Sequence, residues 1–308
     1  MANATPSTTF SVLSAGRRLV VAAPYLWLVV FFAIPFAIVF KISFSYMVTT
    51  QPGYVPLFEW IEEAQRLVAT LNIANYQVLL QDSLYLSTFL YSLKVAAIST
   101  VLCLLLGYPM AYAIARSAPT TRNLFLMLII LPFWTSFLLR VYAWIGLLKT
   151  NGVINNSLLA LGIIDQPLVL LYTDFAVYVG IVYSYLPFMI LPLYSNLEKH
   201  DLTLLEAASD LGARPVKAFF KITLPLSMPG IVAGCLLVFI PAVGEFVIPS
   251  LLGRTDQLMI GTVLSAQFFG ARNWPVASAV AIALLLLLLL PILLFQRYQQ
   301  RELEAARR

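Results

Sequence analysis

Six stretches of the chain run on apolar residues with almost no charge: Leu19 to Phe40, Val95 to Ala115, Leu124 to Leu148, Phe175 to Leu197, Gly230 to Leu252 and Val276 to Phe295. A helix needs about 20 such residues to cross the hydrocarbon core. The pattern therefore predicts an all-α integral membrane protein with six transmembrane helices. The last stretch contains AIALLLLLLLP, too long and too uncharged for the core helix of a soluble domain. Arg140 interrupts the third stretch, and Pro24 and Pro35 fall in the first. Prolines are tolerated there because neighbouring helices re-satisfy the freed carbonyls. Between the first two spans, Ile42 to Leu93 is of mixed polarity. Within it, EWIEEAQRLVATL has helical spacing and predicts a short surface helix.

Composition agrees with the pattern. The chain is 61% hydrophobic and 11% charged, against roughly 45–50% apolar residues in soluble domains. Its 19 basic and 14 acidic residues form no basic run, so topology accounts for the excess better than nucleic acid does. Cytoplasmic loops of membrane proteins carry the Lys and Arg excess. Arg17, Arg18, Arg116, Arg122, Lys199, Arg214, Lys217, Lys221, Arg297, Arg301, Arg307 and Arg308 all fall on one side of a six-span arrangement. Both termini are expected in the cytoplasm. The first span has no clear small-residue cleavage site before Lys41, and carries Trp27, Phe31 and Phe32, so it is expected to stay as an anchor.

The charged stretch between the fourth and fifth spans, EAASDLGARPVKAFFKITLP from Glu206 to Pro225, then becomes a cytoplasmic loop. Asp201 or Thr203 can cap a first short helix, with Thr203 and Glu206 spaced as a capping box. Leu204, Leu205, Ala208 and Leu211 give that helix an apolar face. Gly212 ends it, since glycine takes the left-handed conformation at little cost. Pro215 suits the first turn of a second helix. That helix puts Val216, Phe219 and Phe220 on one side and Arg214, Lys217 and Lys221 on another, and Pro225 stops it.

Glu206, Ala207 and Ala208, then Gly212, then Ile222, Leu224 and Pro225 carry the spaced signature loop of the permease subunits of binding-protein-dependent ABC importers, which this chain resembles. The segments IILPFWTSFLLRVYAWIGLLKTNGVINN, VFIPAVGEFVIPSLLG and NWPVASAVAIALLLLLLLP are similar to the polyamine branch, and most similar to the first permease subunit of bacterial putrescine importers. The resemblance runs from about Leu19 through Gln300. It implies one transmembrane permease domain over 1–308 with the type I ABC importer permease fold. Residues 1–18 are its cytoplasmic N-terminus, 19–297 its six-span core with the coupling loop at about 198–228, and 298–308 its cytoplasmic tail. The resemblance further implies a cytoplasmic ATPase dimer that holds ATP and magnesium, a second related permease and a periplasmic polyamine-binding protein, in a bacterial inner membrane. Putrescine and spermidine both stay open as substrate.

Glu245, in PAVGEFVIP, is the acid lying well inside a predicted span. Intramembrane acids usually face a bundle interior or an aqueous cavity. Pro241, Gly244 and Pro249 predict an irregular helix around it. Glu245 is either a substrate-path group for an amine or a structural one, pairing with a base such as Arg140 or capping broken backbone. Trp134, Tyr142, Trp144, Tyr183 and Tyr185 are candidate ring faces for a cation. Asp165 and Asp174 are weaker candidates on the external side. Gly230 and Gly234 in GIVAG have the spacing that lets helices approach closely, either within the chain or against a partner permease.

No phosphate-binding G-x-x-x-x-G-K-[ST] loop occurs, so energy from ATP has to come from another subunit. His200 is the single histidine, and no G-x-S-x-G elbow appears. Cys103 and Cys235 sit in apolar runs without metal-ligand spacing. No cofactor or metal is expected in this chain, and its surroundings are membrane lipid. An ion-coupled carrier or channel for a small cation is the competing class; it has no use for an ATPase-docking loop.

Overall fold

The structure is a computed structural model describing residues 20–50, 52–55, 58–61, 66–69 and 71–305. The predicted N-terminal segment 1–18 lies outside the described residues. Five helices are long and apolar enough to cross a membrane, and the count rises to six if the bent pair Pro215–Leu226 and Met228–Val243 is taken as one span. The all-helical membrane reading therefore holds, with one addition. EWIEEAQRLVATL does not form the expected surface helix. Phe58–Ile61 (β1) and Arg66–Ala69 (β2) pair antiparallel, Phe58 opposite Ala69 and Ile61 opposite Arg66. Aromatic and β-branched residues at Phe58, Trp60, Ile61 and Val68 favour a pleated strand over a helix.

The chain divides into two compact units. The first comprises residues up to Leu79 together with Gln267–Ala283. Its first helix, α1 (Val20–Ser43), contains a π turn at Val29–Ala33 and presents most of its apolar side chains outward. Just beyond α1 the chain is tied down by two buried asparagines. The Asn75 amide donates to the carbonyls of Ser43 and Ser45, both at 2.9 Å, and the Asn72 backbone N–H donates to Phe44 O at 2.8 Å. Asn75 lies on α2 (Ala74–Gln81), whose Tyr76 hydroxyl shares a 2.7 Å hydrogen bond with Ser43.

The second unit spans Leu80–Ala266 and Leu284–Arg308. It is built on α3 (Ser83–Arg116), α7 (Asp174–Leu197) and α10 (Met228–Val243), which pack against one another around Cys103, Ala111, Met189, Leu193 and Val238. The helix α3 starts at Ser83 rather than Val95, because the Asp82 carboxylate caps it by accepting from Leu84 N at 2.9 Å. At about 51 Å it is longer than the roughly 30 Å hydrocarbon core. Thr173 caps α7, and Asp174 accepts a 2.9 Å hydrogen bond from Tyr91 on α3, so this acid is a structural tie.

The predicted third span is not one helix. It divides into α4 (Pro119–Ile130), a 3-10 turn at Leu131–Trp134 and α5 (Phe137–Leu148), with α6 (Val153–Ala160) following beyond its predicted end. The break has a local cause. Pro132 lacks an N–H, and Thr135 and Ser136 are extended, at ψ 154° and 136°. Apolar length sufficient for a crossing is found in Phe137–Ala160 instead. The predicted fifth span is α10 followed by a break and α11 (Val247–Leu252), as the prolines and glycines around Glu245 foretold. The last helix, running Trp274–Ala305, passes beyond the predicted Phe295 end.

GIVAG packs within the chain. A Cβ on Gly234 would come 2.7 Å from Met189 Sδ, and one on Gly230 would come 2.7 Å from Asn196 Cβ, both on α7. Gly234→Val is therefore expected to overpack this contact, at a cost of about 1–3 kcal/mol, and to lower the melting temperature and yield of purified permease. Gly146→Ala, where a new Cβ meets nothing within 4 Å, is the control and leaves both unchanged or slightly raised. Equal effects at the two positions would refute the close-packing account.

Candidate functional sites: the charged loop and the broken fifth span

The loop forms two short helices at a fixed turn. The first, α8 (Thr203–Asp210), begins where the Asp201 carboxylate accepts from Thr203 N at 3.0 Å. Of the two capping readings, Asp201 is the one realised. Thr203 lies inside the helix, and Glu206 N–H donates to Leu202 O rather than sharing a box with Thr203. At the other end Gly212 has φ +75°. Gly212 N–H donates to Ser209 O at 2.8 Å and Ala213 N–H to Ala208 O at 2.9 Å, the paired bonds of a Schellman stop.

Arg214 is extended, and Pro215 opens the second helix, α9 (Pro215–Leu226), at its first position. Pro225 does not stop it. A π turn at Phe219–Thr223 carries the helix through Leu224–Leu226, with Leu224 N–H reaching back to Phe219 O. That wider turn accommodates a residue without an N–H. The break comes at Ser227, where the axis bends 64° into α10. Ser227 is buried, and its hydroxyl bonds Tyr108 at 2.9 Å and Leu224 O at 2.9 Å.

The predicted apolar faces are each split. Leu205, Ala208, Ala218 and Phe219 turn inward, and Tyr108 and Tyr112 of α3 meet the Phe219 ring edge-on at 5.6 and 6.4 Å. Leu204, Leu211, Val216 and Phe220 turn outward, Leu211 at 88% and Val216 at 68% exposure. Of the signature residues, Ala208 is buried, Ile222 and Leu224 are half-buried, and Glu206, Ala207, Gly212 and Pro225 are exposed. The loop is thus anchored on one side and presents an apolar, basic surface on the other, the kind of exposed patch that marks a protein contact.

His200 joins the loop's two ends. Its Nε2 shares a 3.2 Å hydrogen bond with Asn196 Oδ1, and its ring also meets the Leu226 backbone. Burial lowers its pKa below the ordinary histidine value; the Leu226 bond opposes this and Arg116 adds to it. A depressed histidine is neutral when the loop is docked, so the released loop binds the proton more readily. The docked form is therefore fully favoured above the ordinary value near 6.5 and loses stability as pH falls below it. The permease's melting temperature is expected to drop between about pH 7.5 and 5.5, and His200→Gln to flatten that drop. A steeper drop in the variant would contradict the assignment.

At the other end of α10 the helix stops at Val243, and Glu245, 7% exposed, fills the break. Its Oε1 accepts from the N–H groups of Phe246, Val247 and Ile248 at 3.2, 3.0 and 3.3 Å, capping α11. Its Oε2 accepts from Tyr185 at 2.5 Å. The capping alternative is therefore realised, while pairing with Arg140 is not: the ion pairs among the described residues are Arg122–Glu198 and Arg254–Asp256. Glu245 also lines an open cleft of about 410 Å³ with Tyr185, Arg140 and the rings of Phe133, Phe137 and Phe188.

The other four aromatic candidates lie elsewhere. Trp134 and Tyr142 are 81% and 54% exposed, and Trp144 packs edge-on against Tyr183 at 5.5 Å. Tyr183 lines a separate apolar groove with Met110, Phe125 and Leu128. The four phenylalanines of the cleft, Phe133, Phe137, Phe188 and Phe246, were not singled out by sequence. Phe133, Phe137 and Arg140 do share spacings of four and three residues, the one local signal that grouped them.

Residues 103–304 match the family described as binding-protein-dependent transport system inner membrane component. The spermidine/putrescine transport system permease protein PotB of Haemophilus influenzae is 42% identical over 281 residues, 91% of this chain and 93% of that protein. The protein of the same name from Escherichia coli K12 is 43% identical over 271 residues, 88% and 93% of the two chains. Among solved structures, a bacterial ABC transporter involved in the import of the acidic polysaccharide alginate superposes with a TM-score of 0.68 at 17% identity, covering 94% of this chain and 98% of that one. The inward-facing MetNI methionine ABC transporter does so with a TM-score of 0.52 at 17% identity, covering 75% and 99%. This chain belongs to the inner membrane components of binding-protein-dependent transport systems and has the fold of type I ABC importer permeases.

Proposed function

We propose that this chain is the membrane subunit of an ATP-driven polyamine importer that carries putrescine, and spermidine as well, from periplasm to cytoplasm by alternating access. The observation that carries this reading is the loop. Its inner face is fixed to α3 and its outer face is left free, as a part built to be pushed by a partner. In this reading the partner is a cytoplasmic ATPase dimer holding ATP and magnesium. Both termini lie on the same side, a second related permease completes the path, and a periplasmic binding protein delivers the substrate.

The route for the motion is short. The loop passes through the buried Ser227 bend into α10, whose 16 residues span about 24 Å and end at the break that holds Glu245. A tilt imposed on α8 and α9 therefore moves the far end of α10 and the cleft beside it. An amine entering that cleft meets a carboxylate and five aromatic residues, both of which attract an ammonium group. The names of the 42–43% identical relatives support the same substrate class.

The test is uptake of radiolabelled putrescine into membrane vesicles, with and without the products of the neighbouring transport genes and internal ATP. Uptake requiring both is expected, with spermidine competing. Uptake by this chain alone, driven by an ion gradient, would overturn the proposal in favour of a carrier.

A further inference from the structure

We propose that Arg140 is a tethered cation that occupies the Glu245 cleft at rest and has to be displaced before a substrate ammonium can settle there. This rests on the reading of the cleft as a substrate site. The Arg140 guanidinium carbon lies 5.1 Å from the Phe133 ring centre and 5.7 Å from that of Phe137. Its Nε is buried and has no hydrogen-bond partner. An arginine fixed for structural reasons is usually held by a fork of bonds to a carboxylate. Glu245 lines the same cleft, yet both its oxygens are already engaged, by three backbone N–H groups and by Tyr185.

Arg140 is thus held by ring faces, the weakest attachment available to it, in a place that favours positive charge. The carboxylate contributes to that field. So does the C-terminal end of α10, whose Pro241 and adjoining Gly244 line the cleft and whose last carbonyls carry the negative end of the helix dipole. A substrate ammonium would seek the same faces and the same field. A substrate ammonium entering the roughly 410 Å³ that Arg140 lines meets a like charge, which repels it. The side chain is long enough to swing aside and leaves no hydrogen bond behind at Nε. The apparent affinity for substrate is then reduced by the fraction of time Arg140 is in place.

The experiment uses the complete transporter in lipid nanodiscs and measures equilibrium binding of radiolabelled spermidine. Arg140→Gln is expected to bind spermidine more tightly, by about tenfold if the open arrangement is roughly a tenth of the resting population. Arg140→Lys, which keeps the charge, is expected to change less. Free guanidinium ion at millimolar concentration is expected to compete with spermidine in Arg140→Gln and restore the weaker binding. A merely structural arginine predicts the opposite, weaker binding without it, and that result or an unchanged affinity overturns the proposal. If Arg140→Gln fails to assemble, Arg140→Met carries the same expectation. Glu245→Gln in the same assay separates the two readings. Loss of binding there, with no gain in Arg140→Gln, removes the tethered cation and leaves the site standing. Unchanged binding in Glu245→Gln removes the site and this proposal together.

Discussion

Gly212→Val is expected to leave ATP hydrolysis by the assembled transporter running while uptake falls at least tenfold. Gly212 has φ +75° and terminates α8 through the bonds from Gly212 N–H to Ser209 O and from Ala213 N–H to Ala208 O. A side chain added there meets no atom within 4 Å, so the whole penalty is conformational. For an L-residue in the left-handed region it is roughly 1–2 kcal/mol, and a β-branched residue such as valine is a genuine outlier there. Relief comes from unwinding the last turn of α8, which loosens its angle to α9. A loop of variable angle still offers Leu211, Val216 and Phe220 to a partner but passes less of the partner's movement to α10. Gly212→Asn supplies the control, since asparagine tolerates the left-handed conformation, and is expected to recover most of the uptake. Full coupling in Gly212→Val would show that the turn at this residue transmits nothing.

Local chemistry explains which features were legible beforehand. Gly212 and Pro215 could be placed from sequence because a left-handed stop and a first-turn proline each need one residue type at one position. The spans could be counted because apolar length is a property of the segment itself. The break at Pro132 was missed because Leu131, Phe133 and Trp134 keep the run apolar through it. The faces of α9 were misread for a different reason. Neighbouring residues of a helix point about 100° apart while residues four apart share a face, so Phe219 packs on Tyr108 while Phe220 faces out with Val216. The cleft gathers residues from the 3-10 turn, α5, α7 and the end of α10. No spacing along the chain encodes such a meeting, and Glu245 was visible because an acid inside an apolar run is conspicuous by itself.

Glu245→Gln is expected to assemble normally and to lose at least nine-tenths of polyamine uptake, whereas Glu245→Ala is expected to lose assembly as well. The two differ because the carboxylate has two separable jobs. One oxygen caps α11 by accepting three N–H groups. The other accepts from Tyr185 beside the cleft. Glutamine retains an acceptor for the cap and removes only the charge. Alanine leaves the N-terminus of α11 without its acceptor, and loss of such a cap costs about 0.5–2 kcal/mol, more where water cannot replace it. A carboxylate kept at this depth is itself costly by several kcal/mol. Capping alone does not call for a charge, because neutral side chains cap helices about as well. In the proposed function the charge serves to attract the substrate cation. Normal uptake by Glu245→Gln would leave capping as the whole role of Glu245 and move the substrate path away from this break. Assembly with lost uptake would place the transported ammonium at it.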